Sequence, residues 1–349
     1  MRGQLDIIKS IVSDADLHSG LSEVLSSYFK KAIEIRRLDR RVSEYCSSFI
    51  IEELDVEVTD GLRIELIFKD LSRKALLEDA VHVKPLLFYN PLREIDTYRY
   101  VLAPESLGTP IFYGAFVDAS RQWLFIERLA PVLLWQMGDF EIWKDVSRWL
   151  ARMHQQLASS SISRSYNQAH LIPYDRAFYL HWMERATVYV EQGDNTLDRA
   201  PTTQINLLAT IYPAVVERLL SLPRTVIHGE FFASNVLLDI NETRMRTCPV
   251  DWEMAGVGPG LVDLAGLTSG GWTQEQKDAM ALAYFQAMDS HDTSMTLADF
   301  LLNLERCRLH QAIQWLGWSP GWTPPPEHAQ NWLKEAMLSA NRLGLLGEC

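Results

Sequence analysis

The stretch Val226-Ile227-His228-Gly229-Glu230-Phe231-Phe232-Ala233-Ser234-Asn235-Val236-Leu237-Leu238 sets a carboxylate at Glu230 and a carboxamide oxygen five residues later at Asn235. A second carboxylate follows sixteen residues after Asn235, at Asp251 in Pro249-Val250-Asp251-Trp252-Glu253. Transfer of a phosphoryl group asks little covalent chemistry of a protein. It needs an acceptor that orients the attacking hydroxyl and hard oxygen ligands for metal ions bridging the phosphates. Glu230 has the chemistry of the first, and Asn235 and Asp251 that of the second. His-Gly-Glu alone is a weak signal, because a His before a turn is commonly packed against backbone and Asp or Asn at loop ends commonly form turns. The combination carries more, with polar groups at the ends of apolar strands and Asp263 beyond in Leu261-Val262-Asp263-Leu264-Ala265.

On these residues the chain resembles the aminoglycoside phosphotransferase family of the protein-kinase-like superfamily. The family pattern is His-Gly-Asp, four residues, Asn, a strand and an Asp-led motif; Glu230 stands where the family has Asp, keeping the charge and adding one methylene. The resemblance implies an α+β, two-lobe protein-kinase-like fold, with an N-terminal five-stranded antiparallel sheet plus helix and a larger helical C-lobe. The N-lobe is expected over residues 1–128 and the C-lobe over 129–349, with the catalytic loop at 226–238 and the metal-binding segment at 249–253. It further implies an ATP- or GTP-dependent phosphotransferase acting, with Mg2+, on a hydroxyl of a small molecule. Glu230 would orient or deprotonate that hydroxyl, Asn235 and Asp251 would bind magnesium, His228 would pack under the loop, and Asp263 would accept hydrogen bonds from the loop backbone. Two other readings stay open: a non-catalytic nucleotide-binding pseudokinase, and transfer of a nucleotidyl group on the same fold.

These groups need elements to position them. After a helical segment to about Lys31, β-rich stretches follow at 33–38, 47–54 and 62–69. In the third, Leu62, Ile64, Leu66 and Phe68 alternate with Arg63, Glu65, Ile67 and Lys69, the two-residue period of a strand, and Asp60-Gly61 before it is a hairpin signal. By the resemblance, Lys69 is the phosphate-binding Lys; the other reading is an exposed strand charge. The loop 39–48 would cover the phosphates, yet it has no glycine, so the hydroxyls of Ser43, Ser47 and Ser48 would act with backbone amides. A helix over 91–102 begins near Pro91 and carries Glu94, the better partner for Lys69, with Asp96 as the alternative. Strands at 109–116 and 123–127 complete the sheet, and the resemblance makes Glu127 to Leu129 the hinge whose backbone meets the purine edge. From Phe140 onward the pattern is helical, with further helices expected at 174–190, 203–220, 274–289, 297–317 and 327–343. Of Tyr174, Tyr179, Trp182, Trp272, Trp315, Trp318 and Trp322, most should be core and one or two should line an acceptor pocket. Asp175, Glu184 and Glu253 are candidate polar contacts there.

The chain has 349 residues, 47% hydrophobic, enough for two lobes. A net charge of −12 argues against nucleic acid or an anionic membrane surface as partner, since both reward Lys and Arg clusters. Residues 129–349 carry 16 Lys and Arg against 24 Asp and Glu, residues 1–128 carry 17 against 21, and the more acidic C-terminal part suits a cationic acceptor as well as ordinary solubility. Cys46, Cys248, Cys307 and Cys349 form no zinc or disulfide pattern, and charges at Arg2, Asp6, Lys9, Asp14 and Asp16 break every short apolar run at the N-terminus. A reduced, cytoplasmic protein is the expectation.

Overall fold

The computed structural model describes residues 12–44, 46, 48–83, 85, 88–129, 132–159, 168–193, 200–241, 244–288, 295–319 and 330–346. The chain divides into two compact units: Met1–Pro131 with Gln168–His170 and Asp239–Glu253, and Val132–Asn167 with Leu171–Leu238 and Met254–Cys349.

In the first unit, helix α1 (Asp14–Phe29) starts at Ser13, whose hydroxyl accepts the Asp16 N–H, and it buries Leu17, Leu21, Val24 and Leu25 at three- and four-residue spacing. Strands β1 (Ile35–Val42), β2 (Ile51–Val58) and β3 (Arg63–Asp70) follow, then α2 (Glu78–Val83), α3 (Arg93–Thr97), β4 (Phe112–Val117) and β5 (Gln122–Glu127). The sheet order is β1-β2-β3-β5-β4 with every neighbouring pair antiparallel, which is the five-stranded sheet expected from the sequence. Its buried face joins α1 through Leu54, Val56, Leu66, Phe68, Trp123 and Phe125. Gly20 makes the close seat possible, because a Cβ there would stand 2.9 Å from the Trp123 ring.

Two element boundaries differ from the sequence reading. Residues 39–42, expected in the loop, continue β1, because Arg40 pairs with both carboxylate oxygens of Glu52 (2.8 and 2.9 Å) and Arg41 reaches Glu53, extending the ladder by cross-strand ion pairs. The connection is therefore residues 43–50. The helix expected over 91–102 is α-helical only through Thr97; a π-helical turn, Tyr98–Leu102, then buries Tyr98, Val101 and Leu102.

The second unit begins at β6 (Val132–Leu133) and is mainly helical: α4 (Phe140–Ser159), β7 (Ile172–Pro173), α5 (Arg176–Gly193), α6 (Ala200–Leu220), β8 (Arg224–Ile227) and the start of β9 (Val236–Asn241), whose residues from Asp239 on count with the first unit. After β10 (Arg244–Pro249), which belongs to the first unit, come β11 (Gly256–Pro259), α7 (Leu261–Leu267), α8 (Gln274–Ala287), α9 (Leu297–Trp318) and α10 (Trp332–Arg342). Two short ladders support its loops. β6 pairs antiparallel with the start of β9, while β11 pairs antiparallel with β8 and parallel with β7.

The sequence reading divides the chain continuously at 128/129, whereas the compact units are discontinuous. Buried Arg93 supplies a physical reason for the first unit's gathered segments. Its guanidinium donates to the carbonyls of Phe88 (2.7 Å), His170 (2.8 Å) and Glu253 (2.7 Å), tying three separate stretches to α3. A buried cation needs such saturation, and one fork of donors provides it.

Candidate active site

The first unit carries a buried charge cluster. Strand period and register put Lys69 opposite Ile51 and Leu124, on the sheet face away from Phe68. Its ammonium donates to Glu94 Oε2 and to Asp251 Oδ1, each at 2.7 Å. Lys69 and Glu94 side chains are 7% and 3% exposed, while Asp251 keeps 21%. Burial opposes the charge on Lys69, but Asp251, Glu94 and Glu253 outweigh it and hold the ammonium well above its ordinary range. Burial also lifts Glu94 above the usual carboxylate range, against the pull of Lys69 and with Asp251 adding to the rise. Asp96, the alternative partner, is used elsewhere: it takes Arg99 and His170, each at 2.9 Å. Asp251 sits at φ +66°, a left-handed conformation that costs a non-glycine residue energy and that clusters at functional sites.

The residues expected to meet phosphate and purine are placed as follows. The Ser43 N–H donates to Ile51 O (2.8 Å), closing the β1–β2 connection, and its side chain is buried. The Ser48 hydroxyl donates to Glu253 Oε1 at 3.1 Å, so in this arrangement it serves a carboxylate. Ser47 lies outside the described residues. At the expected hinge, the Glu127 N–H donates to Ile111 O and the Arg128 N–H to Glu65 O, which commits both amides to the protein. The Glu127 carboxylate pairs in two-pronged fashion with Arg246 (2.8 and 3.0 Å); burial raises its pKa, and Arg246 more than offsets this, leaving it below the ordinary range. Leu129 is buried.

The second unit carries the His-Gly-Glu loop, built on β8. Gly229 has φ +85°, and a Cβ there would lie 2.4 Å from Met254 O, so both conformation and space require glycine. Fully buried Asp263, at the start of α7, accepts the His228 N–H (2.7 Å) and the Gly229 N–H (2.8 Å). His154 of α4 stands 3.0 Å from the same carboxylate through Nε2, and its Nδ1 meets the Tyr284 hydroxyl at 2.8 Å. His228 Nδ1 accepts the Glu230 N–H at 3.2 Å. The carboxamide NH2 of Asn235 donates to Glu230 O at 3.0 Å, which turns the Asn235 oxygen the other way. Glu230 itself lines a recess with Gly229, Phe232, Gln311, Gln314, Trp315 and Trp318.

In the first unit Asp251 offers carboxylate oxygens, and in the second the lock on the Asn235 NH2 leaves its carboxamide oxygen as the open end; each is an oxygen of the type a hard divalent cation takes. No group of three or more His, Cys, Asp or Glu arranged to hold a metal occurs among the described residues.

Four residues with evident positioning work escaped the sequence reading. His154 left the only usable trace, a His on the apolar stripe of α4 beside Leu150 and Leu157. Arg93, Tyr284 and Arg246 left none, since their partners are far away in the chain. Of the aromatic residues, Trp315 and Trp318 line the recess, whereas Trp272 packs on Phe140 and Trp143; Trp322 is outside the described residues. Asp175 caps α5 through the Phe178 N–H, and Glu184 is exposed.

The first unit is thus a five-stranded antiparallel sheet bearing a Lys–Glu pair, and the second, mainly helical unit carries His-Gly-Glu and Asn. The sequence profile of the phosphotransferase enzyme family matches residues 94–301, more than half of the chain, and the chain belongs to that family. Its members transfer a phosphoryl group to an alcohol. Similar solved structures include choline kinase from Cryptosporidium parvum Iowa II (15% identity, 88% of each chain covered, TM-score 0.56). Others are Plasmodium vivax ethanolamine kinase (11%, 95% of this chain and 89% of that one, 0.52) and macrolide 2′-phosphotransferase from Brachybacterium faecium (12%, 95% and 99%, 0.53). At such identities the likeness is one of fold. Proteins of curated function give no match. No helix among the described residues is long and apolar enough to cross a membrane.

Proposed function

We propose that this phosphotransferase uses ATP or GTP with magnesium to phosphorylate a hydroxyl of a small molecule, with Glu230 as the group that orients the acceptor. The observation that carries the reading is Lys69, a buried cation held at 2.7 Å by Glu94 and at 2.7 Å by the more exposed Asp251. Such a cation is fixed in direction by Glu94 and can exchange its second carboxylate for phosphate oxygens. Asn235 and Asp251 are the ligands we assign to magnesium, which neutralises phosphate charge when bound. Glu230 takes the proton of the acceptor hydroxyl late, so its charge and position matter more than its basicity. His228 and Asp263 keep the loop in shape, the Leu129 backbone meets the base, and Ser48 is the residue of the 43–50 connection that we assign to the phosphates, its hydroxyl exchanging Glu253 for a phosphate oxygen. A cytoplasmic setting, where nucleoside triphosphates are supplied, goes with this reading.

The glycine-free connection at 43–50 and the Glu in place of Asp favour a second reading, a nucleotide-binding protein without turnover. One experiment separates them. Acceptor panels are incubated with ATP or GTP and Mg2+ and the products weighed by mass spectrometry. Gain of one phosphoryl group is expected, with Glu230→Gln slower by roughly a hundredfold or more in single turnover. Gain of a whole nucleoside monophosphate means nucleotidyl transfer, and nucleotide binding with no product means the non-catalytic reading.

A further inference from the structure

We infer that Arg93 is a positioning residue for Asp251: through the Glu253 carbonyl it keeps Asp251 in its left-handed conformation once nucleotide phosphates have drawn Lys69 away. The inference rests on the phosphotransfer reading, in which Lys69 gives up Asp251 for phosphate. Every group it uses lies in the first unit. Helix α3 has five residues, all of them buried, and Arg93, Glu94 and Asp96 among them are charged. Each charge has its own work. Arg93 donates to three carbonyls, Glu94 takes Lys69, and Asp96 takes Arg99 and His170.

Arg93 and Glu94, neighbours in the chain, grip the segment 251–253 at two points. Glu94 acts through Lys69, whose ammonium lies 2.7 Å from Glu94 Oε2 and 2.7 Å from Asp251 Oδ1. Arg93 acts directly, donating to Glu253 O at 2.7 Å. The ties close a ring that runs from Arg93 through Glu94, Lys69, Asp251 and Glu253 back to Arg93. The two grips differ in kind. Lys69 holds a carboxylate, and phosphate oxygens compete for the same ammonium. Arg93 holds a neutral main-chain oxygen, and burial together with its bonds to Phe88 O (2.7 Å) and His170 O (2.8 Å) keeps its guanidinium out of that competition.

Asp251 sits at φ +66°, where a non-glycine residue stays only if its surroundings over-determine it. Within the segment the Trp252 Nε1–H donates to Pro249 O at 3.1 Å, which braces the turn without anchoring it to α3. The Ser48 hydroxyl reaches Glu253 Oε1 at 3.1 Å, a bond that phosphate can claim as readily as it claims Lys69. After both have turned to phosphate, Arg93 is the group of α3 that still holds the segment. Its loss should therefore be felt in metal affinity before nucleotide affinity, because a shifted carboxylate is a poorer cation ligand. Lysine cannot stand in for it. An ammonium keeps the charge but lacks the planar fork of donors that reaches three carbonyls at once.

The test compares the full-length parent with Arg93→Lys, using adenylyl or guanylyl imidodiphosphate as nucleotide and Mn2+ as the metal probe. Hydrogen exchange at residues 250–253 is read by mass spectrometry without nucleotide and again with nucleotide but no metal. In the parent we expect the same exchange in both states. In Arg93→Lys it should stay near the parent's without nucleotide, where Lys69 still holds Asp251, and rise about tenfold once nucleotide binds. Mn2+ affinity of the nucleotide-bound variant, read by electron paramagnetic resonance, should fall roughly ten- to a hundredfold, while metal-free nucleotide affinity hardly changes. A merely structural tie would loosen the segment equally with and without nucleotide, and that result overturns the inference. So does a parent whose 250–253 amides lose protection when nucleotide binds, a result that depends on no variant folding. Nucleotide binding with the same exchange in Arg93→Lys as in the parent removes the inference alone; a parent that binds neither nucleotide removes the phosphotransfer reading and the inference with it.

Discussion

The two units hold their functional groups by opposite means. In the first, Lys69, Glu94 and Asp251 are joined side chain to side chain, as a cation shared between carboxylates. In the second, Asp263 grips the backbone amides of His228 and Gly229, and the Asn235 side chain holds the Glu230 carbonyl. Shared ion pairs can be traded, since an incoming phosphate or cation offers the same charges. Backbone amides fixed by a buried carboxylate cannot be traded without losing the loop. The charged groups of the first unit can therefore exchange partners, and the loop of the second stays as it is.

Substitutions test that difference. The largest effect is expected from Asp251→Asn, which removes the anionic ligand from the exchanging cluster. Single-turnover phosphoryl transfer should fall on the order of 10²- to 10³-fold or more, and the magnesium dependence of nucleotide binding should flatten. A variant as fast as the parent would leave Asp251 a structural partner of Lys69 and nothing else.

Lys69→Met comes next. Loss of charge-assisted bonds to phosphate should weaken nucleotide binding roughly ten- to a hundredfold, read by calorimetric titration. With its cation gone, Glu94 is left buried under the forces that already raise it, and it should take up a proton, so the fold survives. Equal nucleotide affinity in parent and variant would end the exchange argument.

In the second unit the order of effects should reverse, with stability hit before affinity. Asp263→Asn turns an NH2 toward donors that need an acceptor and should cost about 1–3 kcal/mol in denaturant unfolding. Nucleotide affinity should hardly change. If affinity dropped in proportion to stability, the two units would share one mode of support after all.

The smallest effect is a pH slope. His310 of α9, buried beside the Tyr212 hydroxyl at 2.8 Å, is kept neutral by burial, which lowers its pKa from 6.5 to about 3. A histidine lowered in this way contributes stability that is present above pH 6.5 and lost as pH falls toward about 3. Between pH 7.5 and 5.5 the parent should lose about 1 kcal/mol more unfolding free energy than His310→Gln. Parallel pH curves for the two proteins would show that His310 is not the acid-sensitive group of this core.

The sequence alone determined the parts that depend on local rules. Alternation over residues 62–69 set Lys69 in a strand, Asp60-Gly61 marked its hairpin, and the spacing of Glu230, Asn235 and Asp251 raised the expectation of phosphoryl transfer. Each follows from a two-residue period, a turn residue or a motif within a few dozen positions. Tertiary structure decided the rest. Asp251 meets Lys69 across 182 positions, His154 meets Asp263 across 109, and Arg93 meets the Glu253 carbonyl across 160. No local rule reaches that far. Helical spacing likewise places Gln311, Gln314, Trp315 and Trp318 on one stripe, but only packing turns that stripe toward Glu230, because a period fixes which residues share a face and long-range burial fixes what the face meets.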